Sequence, residues 1–451
     1  MKILSKTLEY VKKKSNLIEV FGLGYVGFPL ATRLASSGLN VRGIDINENR
    51  IKRLNENQLM DSEIYLREQF LKSKEQKKLE ILAKTTKTDL PKVGIICVPT
   101  PIPNKNIDSA VFVISAIENF LESSKEGDIV ILESSVEVGT TDRIQKIIEK
   151  RGFKVGINYG LCFCPERIDP ANKEWGIENI TRVIYCSDNN TFDIAKQIYQ
   201  HVNNANLIRV ESPKVAEIVK SFENAFRLVN ISLVNELAVL CDKLGVNVNS
   251  VIKAASTKPF GFLAHYPGAG AGGHCIPKDP RFLLESARKN DFKFSIIENA
   301  LITNLQMPLY ITNSIEKSLE LMKLKKSVIV CGLAYKANVE DMRDSPSFKI
   351  INEFKKRNFK VFGYDPFFNI HFLDKYLIEN NLSETNLEIL KELDDKSLKD
   401  VSCLCIVQHH DQMKKRLKEI YDESLVPFIY DCQSKLTKNP VSKTVLDFLG
   451  N

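Results

Sequence analysis

Short apolar runs bounded by turn residues alternate with amphipathic segments in the first part of the chain. The runs predict buried strands at 17–21, 41–45, 93–101, 128–135 and 155–167, and the segments between them read as helices. This alternation is typical of a doubly wound parallel sheet with helices on both faces. Ligands of such sheets bind beyond the carboxyl ends of the strands, so we expect a crevice there.

The pattern changes between 212 and 324. Residues 214–246 are apolar nearly all round at helical spacing, which predicts one long buried helix. Residues 295–324 predict a second long helix, with Pro308 as a kink or break. Two long buried helices between α/β segments indicate a linking domain and a subunit interface.

Strand-like runs resume after Lys325. They lie at 326–336, 360–366, 403–408 and 427–432. The chain is therefore predicted to be an α/β protein with two Rossmann-like doubly wound parallel-sheet domains joined by a long-helix central domain. The predicted bounds are 1–211, 212–324 and 325–451.

Three glycines stand between the first predicted strand and its helix. Gly22, Gly24 and Gly27 form a G-x-G-x-x-G pattern, and Asp45 closes the next strand. Such glycines let the backbone turn and approach a pyrophosphate, while the helix N-terminus attracts its charge. Asp45 is suited to accept a bond from a ribose 2′-hydroxyl and would repel a 2′-phosphate. The pattern in this context predicts NAD as cofactor rather than NADP.

Charge and cysteine content exclude some other classes. The formal charge of +7 is modest for 451 residues, and no basic stripe carries interleaved aromatic residues, so we expect no nucleic-acid partner. The spacing of Cys162 with Cys164 and of Cys403 with Cys405 puts each pair on one face of a strand. These pairs read as buried thiols rather than zinc ligands, and we predict no metal site.

The N-terminal region has no apolar core of the signal-peptide kind. No apolar run approaches the length of a membrane span. We therefore expect a cytoplasmic protein that does not associate with a membrane.

The stretch "GAGAGGHCIPKD" at 268–279 places Cys275 on a glycine-rich backbone between a lysine and an aspartate. Lys278 and the loop N–H groups would lower the pKa of the thiol and make it a nucleophile. Beside an NAD site, such a thiol could trap an aldehyde as a thiohemiacetal. Oxidation to a thioester and hydrolysis would then give an acid, so an alcohol would be oxidised in two NAD-dependent steps. A purely structural cysteine is the alternative.

Lys220 and Asn224 are i, i+4 neighbours on the first long helix, which is otherwise apolar. They are suited to hold an oxygen that becomes an oxyanion. A lysine that extends its ammonium from the helix edge to water is an equal alternative on these residues alone.

The second α/β segment repeats the strand–turn pattern without the full glycine set. Its turn, Gly332 to Lys336, lacks the second and third glycines, so it predicts a poor dinucleotide site. Lys336 and Arg343 could hold a different phosphorylated ligand by charge. His409 and His410 end a strand and read as structural residues.

Several motifs together resemble one family, the nucleotide-sugar (UDP-sugar) 6-dehydrogenases. The matching stretches, in order, are "GLGYVGFPLA" at 22–31, "PTP" at 99–101, "ESSVEVGTT" at 133–141, "CPERIDPANK" at 164–173, "VKSFENAFRLVNISLVNELA" at 219–238, "GAGAGGHCIPKD" at 268–279 and "GLAYKANVEDMRDSP" at 332–346. The family has an N-terminal NAD domain, a helical dimerisation domain and a C-terminal UDP-binding domain. The resemblance therefore implies a homodimer that binds NAD and a UDP-sugar.

The resemblance also implies residue roles. Cys275 would be the nucleophile, and Asp279 with Lys220 would activate water or the C6 hydroxyl. Glu166 would assist thioester hydrolysis, and Ser135 would hold a water or face the nicotinamide. The implied catalytic residues are Cys275, Lys220, Asn224, Asp279, Glu166 and Ser135.

Further residues are implied in ligand binding. The cofactor set is Gly22, Gly24, Tyr25, Val26, Gly27, Asp45, Arg50, Pro99, Thr100, Ser135 and Arg343, of which Arg343 would contact the pyrophosphate. The substrate set is Glu166, Arg167, Lys220, Asn224, Phe262, Gly272, His274 and Lys336, of which Lys336 would contact the nucleotide sugar.

The choice of sugar depends on finer features. His274 and "PERIDPANK" resemble the branch that acts on UDP-N-acetylhexosamines, and UDP-glucose ranks second. UDP-GlcNAc and UDP-ManNAc differ only at C2, and the residues do not separate them. The family's usual Thr is replaced by Ser135, which keeps the hydroxyl, and its usual P-G-N is replaced by Pro170-Ala171-Asn172. The product would enter surface polysaccharide synthesis.

Two other functions compete with this interpretation. A one-step β-hydroxyacid or 6-phosphogluconate-type dehydrogenase needs neither Cys275 nor the second α/β domain. A non-catalytic NAD- or UDP-sugar-binding sensor gains nothing from a reactive thiol with Lys220, Asn224 and Asp279.

Overall fold

The computed structural model describes residues 2–102, 107–167, 174–203, 207–273, 275–368 and 387–450. They form two compact units. The first unit comprises residues 1–223 and 281–293, and the second comprises 224–280 and 294–451.

The first unit is built on an eight-stranded sheet in its described residues. The strands are β1 Leu17–Phe21, β2 Asn40–Ile44, β3 Leu79–Leu82, β4 Lys92–Ile96, β5 Ile129–Leu132, β6 Gly160–Phe163, β7 Arg182–Cys186 and β8 Leu207–Arg209. Their order is β3-β2-β1-β4-β5-β6-β7-β8. The order in which strands are added reverses between β1 and β4, which makes their carboxyl ends the switch point where dinucleotides bind in such sheets.

The helices of this unit cover the sheet. They are α1 Lys2–Lys12, α2 Gly27–Ser36, α3 Glu48–Asn55, α4 Arg67–Glu75, α5 Val111–Leu121, α6 Thr140–Lys150 and α7 Asn189–Tyr199. Two apolar clusters hold the layers together, one around Ile18 and Val20 and the other around Phe120 and Leu132. Successive strand residues point to opposite faces, so an all-apolar strand such as β5 supplies both clusters.

The predicted parallel arrangement is confirmed for β1 to β6, and β7 departs from it. β7 runs antiparallel to β6, with Cys162 opposite Cys186 and Phe163 opposite Tyr185. A parallel neighbour would require a crossover connection, usually a helix. The part of the β6–β7 connection that the structure describes, 164–167 and 174–181, contains no helix.

Two long helices and two short ones follow. They are α8 Pro213–Leu244, α9 Val248–Ala255, α10 Asp279–Lys289 and α11 Ser295–Leu321. α8 and α10 each contribute residues to both units. Pro308 lies inside α11 without ending it, so of the two predicted alternatives, a kink or a break, the break is wrong. Thr312 Oγ1 donates to the Pro308 carbonyl at 2.8 Å.

α8 alone among the described helices is long and apolar enough to cross a membrane by length and composition. The expectation that no apolar run reaches that length is therefore wrong for this helix. Core helices pass the same test. Ala225, Leu228, Ala238 and Cys241 of α8 are buried within the protein.

The second unit contains a six-stranded, fully parallel sheet in its described residues. The strands are β9 Ser327–Cys331, β10 Lys360–Tyr364, β11 Glu388–Ile389, β12 Cys403–Ile406, β13 Phe428–Asp431 and β14 Val445–Phe448. The helices that accompany them are α12 Pro346–Lys356, α13 Asp395–Leu398 and α14 Lys414–Asp422. Their order, β11-β10-β9-β12-β13-β14, repeats the order of the first six strands of the first unit. The prediction of two Rossmann-like sheets is confirmed.

Candidate active site

The glycine turn after β1 has the form that a dinucleotide site needs. Gly22 has φ +87°, and a Cβ there would lie 2.9 Å from the Cys97 carbonyl oxygen. A Cβ on Gly27, where α2 begins, would lie 1.9 Å from the Gly22 oxygen. These two glycines are required by the turn itself.

Gly24 differs, because a Cβ there would meet nothing within 4 Å. The open space beside Gly24 is where a side chain would obstruct an approaching pyrophosphate, so the turn fits NAD. Val26 precedes α2 as its N-cap, and Tyr25 is about half exposed beside it.

Asp45 and Arg50 brace this turn. Asp45 Oδ2 accepts from the Leu23 N–H at 2.7 Å, and its Oδ1 accepts from the Asn47 N–H at 2.9 Å. Arg50 Nε donates to the Leu23 carbonyl at 3.0 Å, and its guanidinium pairs with Glu63. Asp45 is half-buried and each oxygen has further acceptor capacity, as a ribose-binding carboxylate requires.

The ends of β4 and β5 are joined beside the turn. Ser134 Oγ donates to the Val98 carbonyl at 2.6 Å, which links the segment after β5 to the segment after β4. Pro99 is exposed, Thr100 is buried and Ser135 is half-buried at these ends. All three therefore lie beyond the carboxyl ends of β4 and β5, where the ligand crevice was predicted.

Glu166, at the end of β6, belongs to a buried ionic network that the sequence did not predict. Arg182 Nη2 donates to Glu166 Oε2 at 2.6 Å, and Arg182 Nη1 donates to Glu133 Oε1 at 3.1 Å. Tyr199 OH also donates to Glu133 Oε1, at 2.5 Å. Burial lowers the pKa of Arg182, but the two carboxylates outweigh it and raise that pKa well above its usual value.

Arg167 is engaged elsewhere in the first unit. Its Nε donates to Glu223 at 3.2 Å, and its Nη1 donates to the Thr181 carbonyl at 2.7 Å. Its guanidinium therefore ties the segment after β6 to α8. A role in substrate binding stays a prediction for this residue.

Lys220 lies on α8 with only 9% of its surface exposed. Among the described residues, none forms a hydrogen bond or ion pair with its ammonium group. Burying an unpaired charge is costly, so a lysine in this state is suited to receive an oxygen of a ligand. Asn224 follows one turn later on the same helix.

In the second unit, Cys275 and Asp279 share one turn of backbone. The Asp279 N–H donates to the Cys275 carbonyl at 2.9 Å, and Asp279 opens α10. Asn224 Nδ2 donates to Asp279 Oδ2 at 2.7 Å, with both side chains buried. Cys275 is exposed. The structure thus brings together three of the predicted catalytic residues.

The glycines before Cys275 are explained by close backbone packing. A Cβ on Gly272 would lie 2.7 Å from the Asp344 oxygen, and a Cβ on Gly273 would lie 2.7 Å from the Tyr335 ring. The Gly273 N–H donates to the Arg343 carbonyl at 3.0 Å. Within the second unit, this loop is therefore positioned against the segment that follows β9.

That segment carries two more predicted ligand residues. Lys336 is half-buried, and the Arg343 guanidinium forks onto Asp341, with Nη2 to Oδ2 at 2.6 Å. Phe262 is 43% exposed on the loop after α9. His274 and Pro170-Ala171-Asn172 lie outside the described residues.

The turn after β9 repeats the first turn but is closed. Gly332 has φ +83°, and Asp365 Oδ2 accepts from the N–H groups of Leu333 and Ala334 at 2.7 and 2.9 Å. His410 Nε2 lies 3.0 Å from the same oxygen. Asp365 is 4% exposed, so this acid braces the turn structurally. Asp45, in contrast, is half-buried and can accept a further hydrogen bond.

The prediction that the two strand pairs of cysteines are buried is confirmed. The structure describes all ten cysteines and shows no disulfide, and both strand pairs are buried. No cluster of three or more metal-ligand side chains occurs among the described residues. His409 and His410 are buried against Asp431 and Asp365, at 2.8 and 3.0 Å.

Comparison with known families covers nearly all of this architecture. Models of the UDP-glucose/GDP-mannose dehydrogenase family match residues 16–203 as the NAD binding domain, 214–306 as the central domain and 329–438 as the UDP binding domain. The chain belongs to this family. It is therefore an NAD-dependent nucleotide-sugar dehydrogenase, and its cofactor is NAD.

Individual relatives are similar over most of their length. A UDP-N-acetyl-D-mannosamine dehydrogenase of Methanococcus vannielii is 33% identical, over 92% of this chain and 91% of the relative. A UDP-N-acetyl-D-glucosamine 6-dehydrogenase of Pseudomonas aeruginosa is 32% identical, over 77% and 82%. The solved UDP-D-ManNAc dehydrogenase of Pyrococcus horikoshii superposes with a TM-score of 0.82 at 28% identity, over 96% and 99%.

Proposed function

We propose that this dehydrogenase oxidises C6 of a UDP-N-acetylhexosamine to the carboxylate, with UDP-ManNAc as the first substrate to test and UDP-GlcNAc as the second. The similarity to enzymes named for these two sugars supports the assignment. UDP-glucose ranks behind them. The net reaction consumes one alcohol, two NAD⁺ and one water, and it yields one carboxylate, two NADH and three protons.

The observation that carries the two-step oxidation is the geometry around Cys275. An exposed thiol and a buried carboxylate share one helical turn, and Asn224 holds that carboxylate at 2.7 Å. A single alcohol oxidation would need neither the thiol nor its fixed neighbour. NAD, when bound at the glycine turn, would supply the hydride acceptor for each oxidation, and the protein's residues perform the remaining steps.

The protein's part begins with the alcohol. Asp279, with Lys220, removes the C6 hydroxyl proton, and Lys220 and Asn224 stabilise negative charge on the C6 oxygen. Cys275 Sγ then attacks C6 of the aldehyde and forms the thiohemiacetal. The second oxidation converts this adduct to a thioester.

Hydrolysis releases the product. Glu166 removes a proton from water as the water oxygen bonds to C6. The C–S bond then breaks, and its electron pair returns to Sγ. Ser135 holds a water or faces the nicotinamide, while Lys336 and Arg343 contact the nucleotide sugar and the NAD pyrophosphate by charge.

We also propose a homodimer built on α8. Five large apolar side chains on this helix are each 45–66% exposed, and their spacing places them on one face. They are Phe222, Phe226, Leu233, Leu240 and Leu244. A continuous apolar stripe of this kind favours a second copy of the chain as its partner. The reduced, mostly buried thiols favour a cytoplasmic enzyme, and an acidic sugar product suits polysaccharide synthesis.

The test counts NADH formed and sugar consumed with UDP-ManNAc, UDP-GlcNAc, UDP-GalNAc and UDP-glucose in parallel. Two NADH per sugar with an N-acetylhexosamine supports the proposal, and one NADH per sugar contradicts it. Cys275→Ala should form no acid and still bind NAD. Cys241→Ala, which alters a buried thiol on α8, is the matched control.

A further inference from the structure

A fully buried arginine stands at the start of β7. Arg182 is buried, at 0% exposed, like the apolar strand residues that it precedes, although it carries a charge. A buried guanidinium is costly unless charged partners and hydrogen bonds compensate it. The partners here are two carboxylates that come from different strand ends.

The guanidinium links these carboxylates like a fork. Its Nη1 lies 3.1 Å from Glu133 and its Nη2 lies 2.6 Å from Glu166. The Tyr199 ring stacks 4.6 Å from Arg182 Cζ, and the Tyr199 hydroxyl bonds to Glu133. Arginine is suited to this task because its donors diverge in a fixed plane.

The two carboxylates are not equivalent. The Glu133 side chain is 0% exposed, whereas the Glu166 side chain is 11% exposed. Glu166 Oε1 also accepts from the Arg167 N–H at 2.7 Å, so both of its oxygens are held. Glu133 and Tyr199 therefore anchor the arginine, and the arginine directs Glu166.

The network sets one guanidinium against two carboxylates. Burial raises the pKa of Glu133, and Glu166 raises it further, while Arg182 lowers it. Burial also raises the pKa values of Cys97, Cys164 and Tyr199, so these neighbours add no negative charge near neutral pH. Among the described groups, Arg182 is thus the cation that pairs with both carboxylates.

We propose that Arg182 is a positioning residue that holds the Glu166 carboxylate in the direction it needs as the base of the thioester hydrolysis step. This inference rests on the proposed function. In that step the base must accept a proton from water as the C–O bond forms and the thiolate leaves, so a protonated or rotated Glu166 would stop hydrolysis without stopping either oxidation.

The experiment separates hydrolysis from oxidation in rapid-mixing assays with the sugar that the wild-type protein turns over. Arg182→Lys keeps the charge but loses the two-carboxylate fork. We expect a full initial burst of two NADH per site and then a hydrolysis rate lowered about 10- to 100-fold, within the range of general-base effects. Intact-protein mass spectrometry should show the acyl adduct accumulating on the variant.

The pH profile of hydrolysis is the decisive readout. Arg182→Lys should move its acid limb to higher pH, because one lysine ammonium cannot reproduce the fork that donates to both carboxylates, and the hydrogen bond to Glu166 is weakened. Glu133→Gln should move the same limb to lower pH, because it removes a repelling charge and leaves Arg182 to Glu166. A merely structural arginine would give no such opposite shifts.

Arg42→Lys is the matched control. Arg42 also faces two carboxylates in this sheet, Glu80 at 2.9 Å and Glu19 at 3.9 Å. It should leave the hydrolysis profile unchanged. Equal profiles in wild type and both network variants, or shifts in one common direction, would overturn the inference. Absence of any acid from wild-type protein would instead overturn the proposed function.

If Arg182→Lys does not fold, as judged by its melting curve and NAD binding, Glu133→Gln alone decides. A downward shift of its acid limb supports the positioning role, and an unchanged limb overturns it.

Discussion

Asn224 Nδ2 donates to Asp279 Oδ2 at 2.7 Å, and both side chains are buried. A residue of the long helix α8 thus directs the carboxylate that lies one turn beyond Cys275. Asn224 therefore has two proposed tasks, one toward the carboxylate and one toward the reacting oxygen.

Asn224→Ala removes both tasks at once. We expect kcat/KM to fall about 100- to 1,000-fold, the usual effect of losing one oxyanion donor. NAD binding should stay near wild type, because no described part of the glycine turn involves this residue. Steady-state kinetics and a cofactor titration measure the two effects.

Asn230→Ala is the control, since Asn230 lies on the same helix and donates to the Phe226 carbonyl at 2.7 Å. Similar losses in both variants would indicate damage to the helix and contradict the specific role.

Asp45→Ala should weaken NAD binding about tenfold, which corresponds to ~1.4 kcal/mol. It should also reduce the preference of the enzyme for NAD over NADP. The reason is that Asp45 supplies the half-open carboxylate beside the turn, and its charge repels a 2′-phosphate. The KM values for both cofactors measure the change.

Asp365→Asn tests the equivalent acid of the second unit. It should leave the KM for NAD unchanged and lower the melting temperature, because Asp365 braces two backbone N–H groups and His410. If the ratio of the KM values for NAD and NADP were the same in Asp45→Ala as in the wild type, the assignment of Asp45 to the ribose 2′-hydroxyl would be refuted.

Leu233→Glu with Leu240→Glu should dissociate the proposed dimer. Both residues lie on the exposed apolar face of α8, and burying two carboxylates at an interface is strongly unfavourable. Sedimentation velocity should show monomers for the double variant at concentrations where the wild-type protein is dimeric.

Val441→Glu serves as the control, because Val441 is 83% exposed and lies outside that face. A wild-type protein that sediments as a monomer at all concentrations would rule out this interface.

Acid should destabilise the protein partly through Asp431. The pKa of Asp431 lies below its usual value because the bonds from His409 and from backbone N–H groups outweigh the effect of burial. A carboxyl group with a lowered folded-state pKa stabilises the fold above its unfolded pKa of about 4, and this contribution is lost as the pH falls through the folded value.

His409→Ala should therefore raise the pH at which the protein unfolds in acid, because the folded pKa of Asp431 moves upward. Circular dichroism along an acid titration measures the midpoint. His265→Ala, which removes a bond to the Leu263 carbonyl, should leave the midpoint unchanged.

The parts that the sequence predicted are those with local signals. Gly22 and Gly27 are required by contacts within one strand–turn–helix unit, and the motif records them. Cys275 and Asp279 are four residues apart, so their shared turn is also local. The helix Lys2–Lys12 had a local signal too, with Leu4 and Val11 seven residues apart, but no helix was predicted there.

The ionic network around Arg182 could not be predicted in this way. Its members come from four separate segments, and only the folded sheet brings Glu133, Glu166 and Tyr199 to one guanidinium. An arginine that begins an apolar strand is the one available hint, because arginine is rarely buried without partners. The direction of β7 likewise depends on the connection from β6, and the sequence of that connection carries no clear signature.

The pairing of His410 with Asp365 has a consequence for how the acids of the two sheets differ. Six strands of each sheet follow the same order, with a left-handed glycine after the first strand and an acid after the second. His410 Nε2 lies 3.0 Å from the second acid, Asp365, and takes up acceptor capacity that the first acid, Asp45, keeps open. The same arrangement of strands, glycine and acid can thus present a half-buried carboxylate at the turn in one unit and a buried, fully bonded carboxylate in the other.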